Sequence, residues 1–348
     1  MKLSEIPADV LGLLRRGTVI PAHLLALDAN RRLDARRQRA LTRYYLDAGS
    51  GGIAVGVHAT QFAIREAGLY ETVLKLAADE ARTWVKRPVL LVGGLAGKTD
   101  QAKKEAAIAR GLGYHAGMLS LAAMKGATVD ELVAHCRAVA ATIPLVGFYL
   151  QPAVGGIHLP AEFWRRFCEI ENVIAIKIAP FNRYRTLDVA KGVVAARAEE
   201  RVTLYTGNDD HIVLDLLVPL AVMRDGEEIQ VRIKGGLLGH WSVWTRRAVE
   251  LLERIRKITE VNREILALDS KVTDANSAFF DVTHDFAGCI AGCHEVLRRQ
   301  GLLEGIWCLD PKEGLSPGQA AEIDRVYAAY PEMNDDVFVK ENLTRWMA

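Results

Sequence analysis

The chain has 348 residues, 50% of them hydrophobic and 25% charged, with a formal net charge of +1. That balance supplies a large core and gives no bulk electrostatic reason to bind nucleic acid or an anionic membrane. No run approaches the roughly 20 apolar residues of a membrane span, and Glu5 and Asp9 interrupt any signal-peptide h-region, so a cytoplasmic location is the default expectation. The five cysteines (Cys136, Cys168, Cys289, Cys293 and Cys308) are odd in number and irregularly spaced, which argues against a disulfide framework. Cys289, Cys293 and His294 raise a metal site, since Cys289 and Cys293, four apart on a predicted helix, share a face. No second ligand pair lies nearby, and the pair reads as buried helix thiols.

In chain order, short apolar runs alternate with amphipathic stretches. The runs predict strands at 18–27, 52–57, 88–93, 115–120, 144–150, 173–179, 202–206 and 230–235. The stretches predict helices at 34–48, 69–85, 99–112, 128–142, 160–169, 184–199, 210–218 and 241–266. Eight strands with intervening helices give an α/β fold, a (β/α)8 TIM barrel. A doubly wound sheet is the alternative, but it usually carries a glycine-rich phosphate turn after its first strand. Here Asp28-Ala29-Asn30-Arg31-Arg32 follows instead. Met223 to Glu228 reads as a surface turn before the last strand. Residues 275–330 read as additional C-terminal helices, the last opening on Ser316-Pro317-Gly318-Gln319. The tail from Pro331 to Ala348 either packs against a partner or stays mobile. The expected organisation is a barrel over 1–270 with a short N-terminal extension, and a helical segment over 271–348 packed on it.

Lys177 is the residue that stands out. It is the lone lysine of Val173-Ile174-Ala175-Ile176-Lys177-Ile178-Ala179, a β-branched run of the kind buried in parallel sheets. A buried ammonium is disfavoured, its pKa falls, and a neutral lysine adds to carbonyls to form a Schiff base. The other reading is a lysine that snorkels from the strand end to water. In a barrel, active-site residues sit at the C-terminal ends of strands, where Lys177 would lie. Tyr149 ends the preceding strand, and if the two registers match, its hydroxyl would relay protons for Lys177.

Tyr149 with Pro152 and Gly155-Gly156, Lys177 28 residues further on, and Thr206-Gly207-Asn208-Asp209 form a pattern. It resembles the dihydrodipicolinate synthase and N-acetylneuraminate lyase family of class I aldolases. The helix end Arg298-Arg299-Gln300-Gly301-Leu302 and the later Leu315-Ser316-Pro317 are also similar. The resemblance implies a barrel with C-terminal helices and assembly as a homodimer or homotetramer. It implies Lys177 as the Schiff-base lysine and Tyr149 as the proton shuttle. No metal or cofactor is implied, because the iminium is itself the electron sink.

The departures from the family's pattern define the substrate question. Where the family has Gly-Thr-Thr-Gly-Glu to hold a keto-acid carboxylate, this chain has Gly56-Val57-His58-Ala59-Thr60. The position of the synthases' substrate-binding arginine is Val154, and Ser120 to Met124 lacks their tyrosine. Valine cannot replace the bidentate clamp of arginine. His58 either faces the substrate carboxylate or is a neutral loop histidine. Gly207, Gly235 and Leu237 are expected at the substrate, where glycine admits close backbone approach. His240, Trp241 and Trp244 either narrow the pocket or form a packing face. The expected function is therefore a Schiff-base lyase, an aldolase or dehydratase, acting on a small carbonyl compound: a pyruvate-like 2-oxo acid or keto-deoxy sugar acid, outside lysine synthesis. The alternative is a catalytically altered barrel with a ligand-binding or regulatory role.

Overall fold

The computed structural model describes residues Met1 to Ala348. Its strands are β1 (Val19–Pro21), β2 (Gly52–Val55), β3 (Leu90–Leu95), β4 (Ala116–Leu119), β5 (Leu145–Leu150), β6 (Val173–Ala179), β7 (Thr203–Thr206), β8 (Leu220–Arg224), β9 (Glu227–Val231) and β10 (Ile233–Leu238). Its helices are α1 (Ala8–Arg16), α2 (Ala35–Asp47), α3 (Tyr70–Thr83), α4 (Thr99–Gly111), α5 (Val129–Ala140), α6 (Ala161–Cys168), α7 (Arg183–Ala195), α8 (Ile212–Leu217), α9 (Thr245–Arg256), α10 (Arg263–Phe279), α11 (Cys289–Arg299), α12 (Gln319–Ala329) and α13 (Asp336–Trp346). One sheet runs in the order β1-β10-β7-β6-β5-β4-β3-β2. With helices alternating between its strands and the Ala22–Ala54 bridge beyond β1 and β2, it is a nearly closed (β/α)8 barrel followed by C-terminal helices. No helix is long and apolar enough to cross a membrane.

Four expected elements differ, each for a local reason. The first strand ends at Pro21 rather than continuing to 27. Beyond it, the Gln38 side chain donates to the Leu24 carbonyl (3.0 Å) and accepts from the Ala26 amide (2.8 Å), in place of a neighbouring strand. The eighth barrel strand starts at Ile233, not 230, because residues 220–231 form a separate antiparallel hairpin, β8–β9. Its tip residues Asp225 and Gly226 have φ of 53° and 87°, the signature of a type I′ turn. The stretch 241–266 is two helices, α9 and α10, the second capped by Asn262 accepting from the Ile265 amide at 3.0 Å. The tail packs on its own chain. It forms α13, whose Val339 and Trp346 are buried.

The chain divides into two compact units, Met1–Thr18 with Leu90–Leu237, and Val19–Val89 with Leu238–Ala348. In the first, β6 is buried along its whole length, as a strand covered on both faces must be. Helix α6 buries Phe163, Trp164 and Phe167. A Cβ placed on Gly147 of β5 would stand 2.7 Å from the Phe167 ring, so odd-numbered positions of β5 from 147 face the helix layer. In the second unit, α2 and α10 to α13 share one core that includes Tyr44, Tyr45, Phe279, Val296, Ile323 and Trp346. Trp346 donates to Asp47 at 2.6 Å. Asp335 accepts from the Tyr44 hydroxyl (2.7 Å) and the Arg246 amide (3.0 Å), tying the tail to two other helices.

Candidate active site

Lys177 lies in β6 and is 8% exposed. Phe148 of β5 and Tyr205 of β7 pair with it, so both project from the same face of the sheet. The Lys177 Nζ stands 4.7 Å from the Phe148 ring centre, a cation–π contact that favours the charged form. Burial acts the other way and is the larger effect. It pulls the amine down to about 8, against the opposing pull of the Asp209 carboxylate. The amine is still mostly protonated at neutral pH, but it gives up its proton far more readily than an exposed lysine. The snorkelling reading does not describe this side chain.

Tyr149 is not brought to Lys177. Leu145 pairs with Val173, but an irregularity follows, and Val146 then pairs with Ala175. That extra residue in β6 sets Tyr149 opposite Ile178, one position past Lys177, and so on the opposite face. The Tyr149 ring packs against Trp164 of α6, with ring centres 5.4 Å apart. Its hydroxyl contacts the His158 Nδ1 and accepts from the Leu159 amide, both at 3.3 Å. Burial raises its pKa. The expectation of a tyrosine hydroxyl at the lysine fails on a one-residue slip of register.

The turn after β7 does approach the lysine. A Cβ on Gly207 would come within 2.6 Å of the Lys177 Cε, so only glycine lets the lysine lie where it does. The Gly207 amide donates to the Ile178 carbonyl at 2.7 Å. Asn208 then locks the turn. It accepts from the Phe181 amide (3.1 Å) and donates to Asp215 of α8 (2.9 Å) and Thr186 of α7 (3.3 Å). Thr206 donates to the same Asp215 at 2.6 Å, and Arg183 forms an ion pair with it. Asp209, 4% exposed, follows from this anchored base. The sequence marks the turn through Gly207, whereas the Asp209 carboxylate and Phe148 stand out only in the structure. The signal for Asp209 is its place two residues after the glycine that follows a barrel strand.

The loop after β2 is built within the other unit. Gly56 has φ of +77°, and a Cβ there would press on Tyr70 and Leu74 at 3.0 and 3.1 Å. Val57 is buried and Ala59 packs against the C-terminal helical core. Thr60 turns its hydroxyl into the fold. It donates to the His23 carbonyl (2.6 Å) and accepts from the Gly56 amide (3.0 Å), which makes it a loop clamp. His58 is half-buried, its ring edge-on to Phe62 at 5.9 Å. Arg65, which no sequence motif singles out, donates to the Gly56 carbonyl at 3.2 Å and lies 4.8 Å from the Tyr70 ring centre.

On β10, Gly235 pairs with Tyr205, and a Cβ there would meet both the Tyr205 ring (2.8 Å) and the Thr18 backbone (2.5 Å). Its smallness serves packing at that level of the barrel. Leu237 is buried. Trp244 packs edge-on to Phe279 at 4.8 Å and donates to Tyr327, which makes it a packing residue among the C-terminal helices. Cys293 is buried in α11 and Cys289 half-buried beside it.

A family model described as the dihydrodipicolinate synthetase family matches residues 15–219. A 4-hydroxy-tetrahydrodipicolinate synthase of Desulforudis audaxviator is 29% identical over 206 residues, covering 58% of this chain and 66% of that protein. An N-acetylneuraminate lyase of Citrobacter koseri is 25% identical over 202 residues, covering 57% and 65%. The chain thus spans just under two thirds of the length of these curated relatives. Among solved structures, the chloride-inhibited dihydrodipicolinate synthase of Acinetobacter baumannii complexed with pyruvate superposes with a TM-score of 0.73. It is 17% identical and covers 90% of this chain and 98% of that one. CdNal from Clostridium difficile in complex with mannosamine gives 0.73 at 16% identity, covering 90% and 99%. Those structures share the fold, and the family match, spanning more than half of the chain and holding both Lys177 and the Gly207 turn, establishes that this protein belongs to the dihydrodipicolinate synthetase family.

Proposed function

We propose that the chain is a class I aldolase-type lyase that works through an imine on Lys177. The observation that carries this reading is the desolvated amine itself, pulled down to about 8 on a buried barrel strand. Its nitrogen lone pair adds to the carbonyl carbon of the substrate, the carbonyl oxygen leaves as water, and the resulting iminium withdraws electrons from the adjacent carbon. Loss of a proton or a carbon fragment there gives an enamine. Carbon–carbon cleavage, carbon–carbon formation and dehydration all pass through that enamine.

The substrate class we propose is a pyruvate-like 2-oxo acid or a keto-deoxy sugar acid. The lysine-pathway synthase reaction is not the proposed activity. Val154 stands where that enzyme's arginine would be, and Ser120 to Met124 contains no tyrosine. The chemistry is carried by protein residues alone in this reading. Borohydride reduction with pyruvate present, read by intact mass, is expected to add one reduced pyruvate to the wild type and none to Lys177→Ala. Absence of an adduct across a panel of 2-oxo acids and aldehydes would overturn the proposal in favour of a ligand-binding barrel.

A further inference from the structure

Imine formation needs a group that moves protons beside the lysine, and the register takes Tyr149 away from that task. Of the two side chains paired with Lys177 on its own face, Phe148 carries no exchangeable proton. Tyr205 donates its hydroxyl to the Leu14 carbonyl at 2.8 Å. The turn after β7 supplies the alternative. Gly207 lies against the Lys177 side chain, and two residues later Asp209 emerges, buried, from a base fixed by Asn208, Thr206, Thr186 and Asp215. Asp215 is held on the helix side of the turn and is neutralised by Arg183. Asp210, next in the turn, has its carboxyl pushed up by burial. The charge that acts on Lys177 is that of Asp209.

Resting on the imine reading above, we propose that Asp209 is the proton-transfer group of the Lys177 site, in the role that sequence alone gives to Tyr149. The carboxylate accepts a proton from the Lys177 ammonium, leaving a neutral amine. The amine lone pair forms the C–N bond while the carbonyl π electrons move to oxygen. Asp209 gives its proton to that alkoxide and takes one from the new ammonium centre, yielding the neutral carbinolamine. It then protonates the departing hydroxyl. The C–O bond breaks, water leaves, and the nitrogen lone pair closes the C=N bond. The step ends with the carboxylate facing the iminium and with no net proton gained or lost.

The test reads two properties of Asp209→Asn and Tyr149→Phe against the wild type. The first is the pH dependence of Lys177 methylation by formaldehyde and cyanoborohydride, followed on the peptide containing Lys177. The second is the rate of borohydride-trapped adduct formation with pyruvate. Asp209→Asn is expected to move the methylation midpoint to lower pH by about one unit or more, because an attractive charge has been removed. It is also expected to slow adduct formation by about 100-fold or more, while Tyr149→Phe stays within about threefold of wild type. An unshifted midpoint with wild-type adduct formation in Asp209→Asn overturns the assignment. So does a loss in Tyr149→Phe as large as that in Asp209→Asn. A wild type that is methylated yet forms no adduct with any 2-oxo acid overturns the lyase reading, and this role with it. The wild type alone therefore tells the two failures apart.

Discussion

A buried lysine is a thermodynamic burden that its site must tolerate. Lys177 sits near 8 in the folded chain, below the value of an unfolded lysine. Between about pH 8 and 10.4 the unfolded chain binds more protons, so this residue's contribution to stability rises with pH through that window. Below about 8 both states are protonated and the full penalty, on the order of 3 kcal/mol, is present. Lys177→Met alone would relieve that penalty but strand the buried Asp209. The double variant Lys177→Met/Asp209→Asn is therefore expected to be more stable at pH 7 than either single variant. Chemical denaturation checks this, and a double variant no more stable than Lys177→Met would contradict the pairing. Lys177 was legible because one charge interrupts a run of β-branched residues. The face of Tyr149 was not legible, because the slip between Leu145 and Val146 is a property of two strands together, and neither strand's alternation records it.

Elements were legible where one strong local rule decided them. Strand β6 and helix α6 follow from their apolar patterns, and the last barrel strand shifted because Asp225-Gly226 closes a hairpin that consumes the residues before it. Helix α13 is carried in the sequence only by Val339, Leu343 and Trp346 at i, i+4 and i+7, a stripe too short to decide a helix by itself, and its burial comes from distant partners. Trp346 is the anchor: fully buried, bonded to Asp47, and edge-on to Tyr44 and Phe338 at 5.5 and 5.4 Å. Trp346→Ala is expected to cost about 3–5 kcal/mol, the range for truncating a large core aromatic. It is also expected to expose the tail to limited proteolysis near Asp335. Thermal unfolding and mass analysis of the cleaved products read both effects. A shift below about 1 kcal/mol would mean the tail contributes little beyond its own hydrogen bonds.

At the scale of the whole molecule, the (β/α)8 order was readable because eight buried runs alternate with amphipathic ones. The division into two compact units was not, because each unit gathers segments from distant parts of the chain. Assembly as a dimer or tetramer is a proposal carried by family membership. Exposed Tyr184, Met223 and Val337 are available as contact residues. Light scattering after size exclusion is expected to give two or four times the 38.3 kDa of the chain. A monomer at micromolar concentration would remove assembly from the proposal.

The family match ends at residue 219, and the hairpin begins at Leu220. Its strands pair with each other in a sheet of their own, apart from the eight barrel strands. Its tip, Asp225-Gly226, is exposed and turns in two residues. That makes the tip a natural acceptor for foreign sequence: a peptide epitope or a cysteine for a fluorophore, spliced between Asp225 and Gly226, would ride on a stem whose strand-to-strand ladder is separate from that of the barrel.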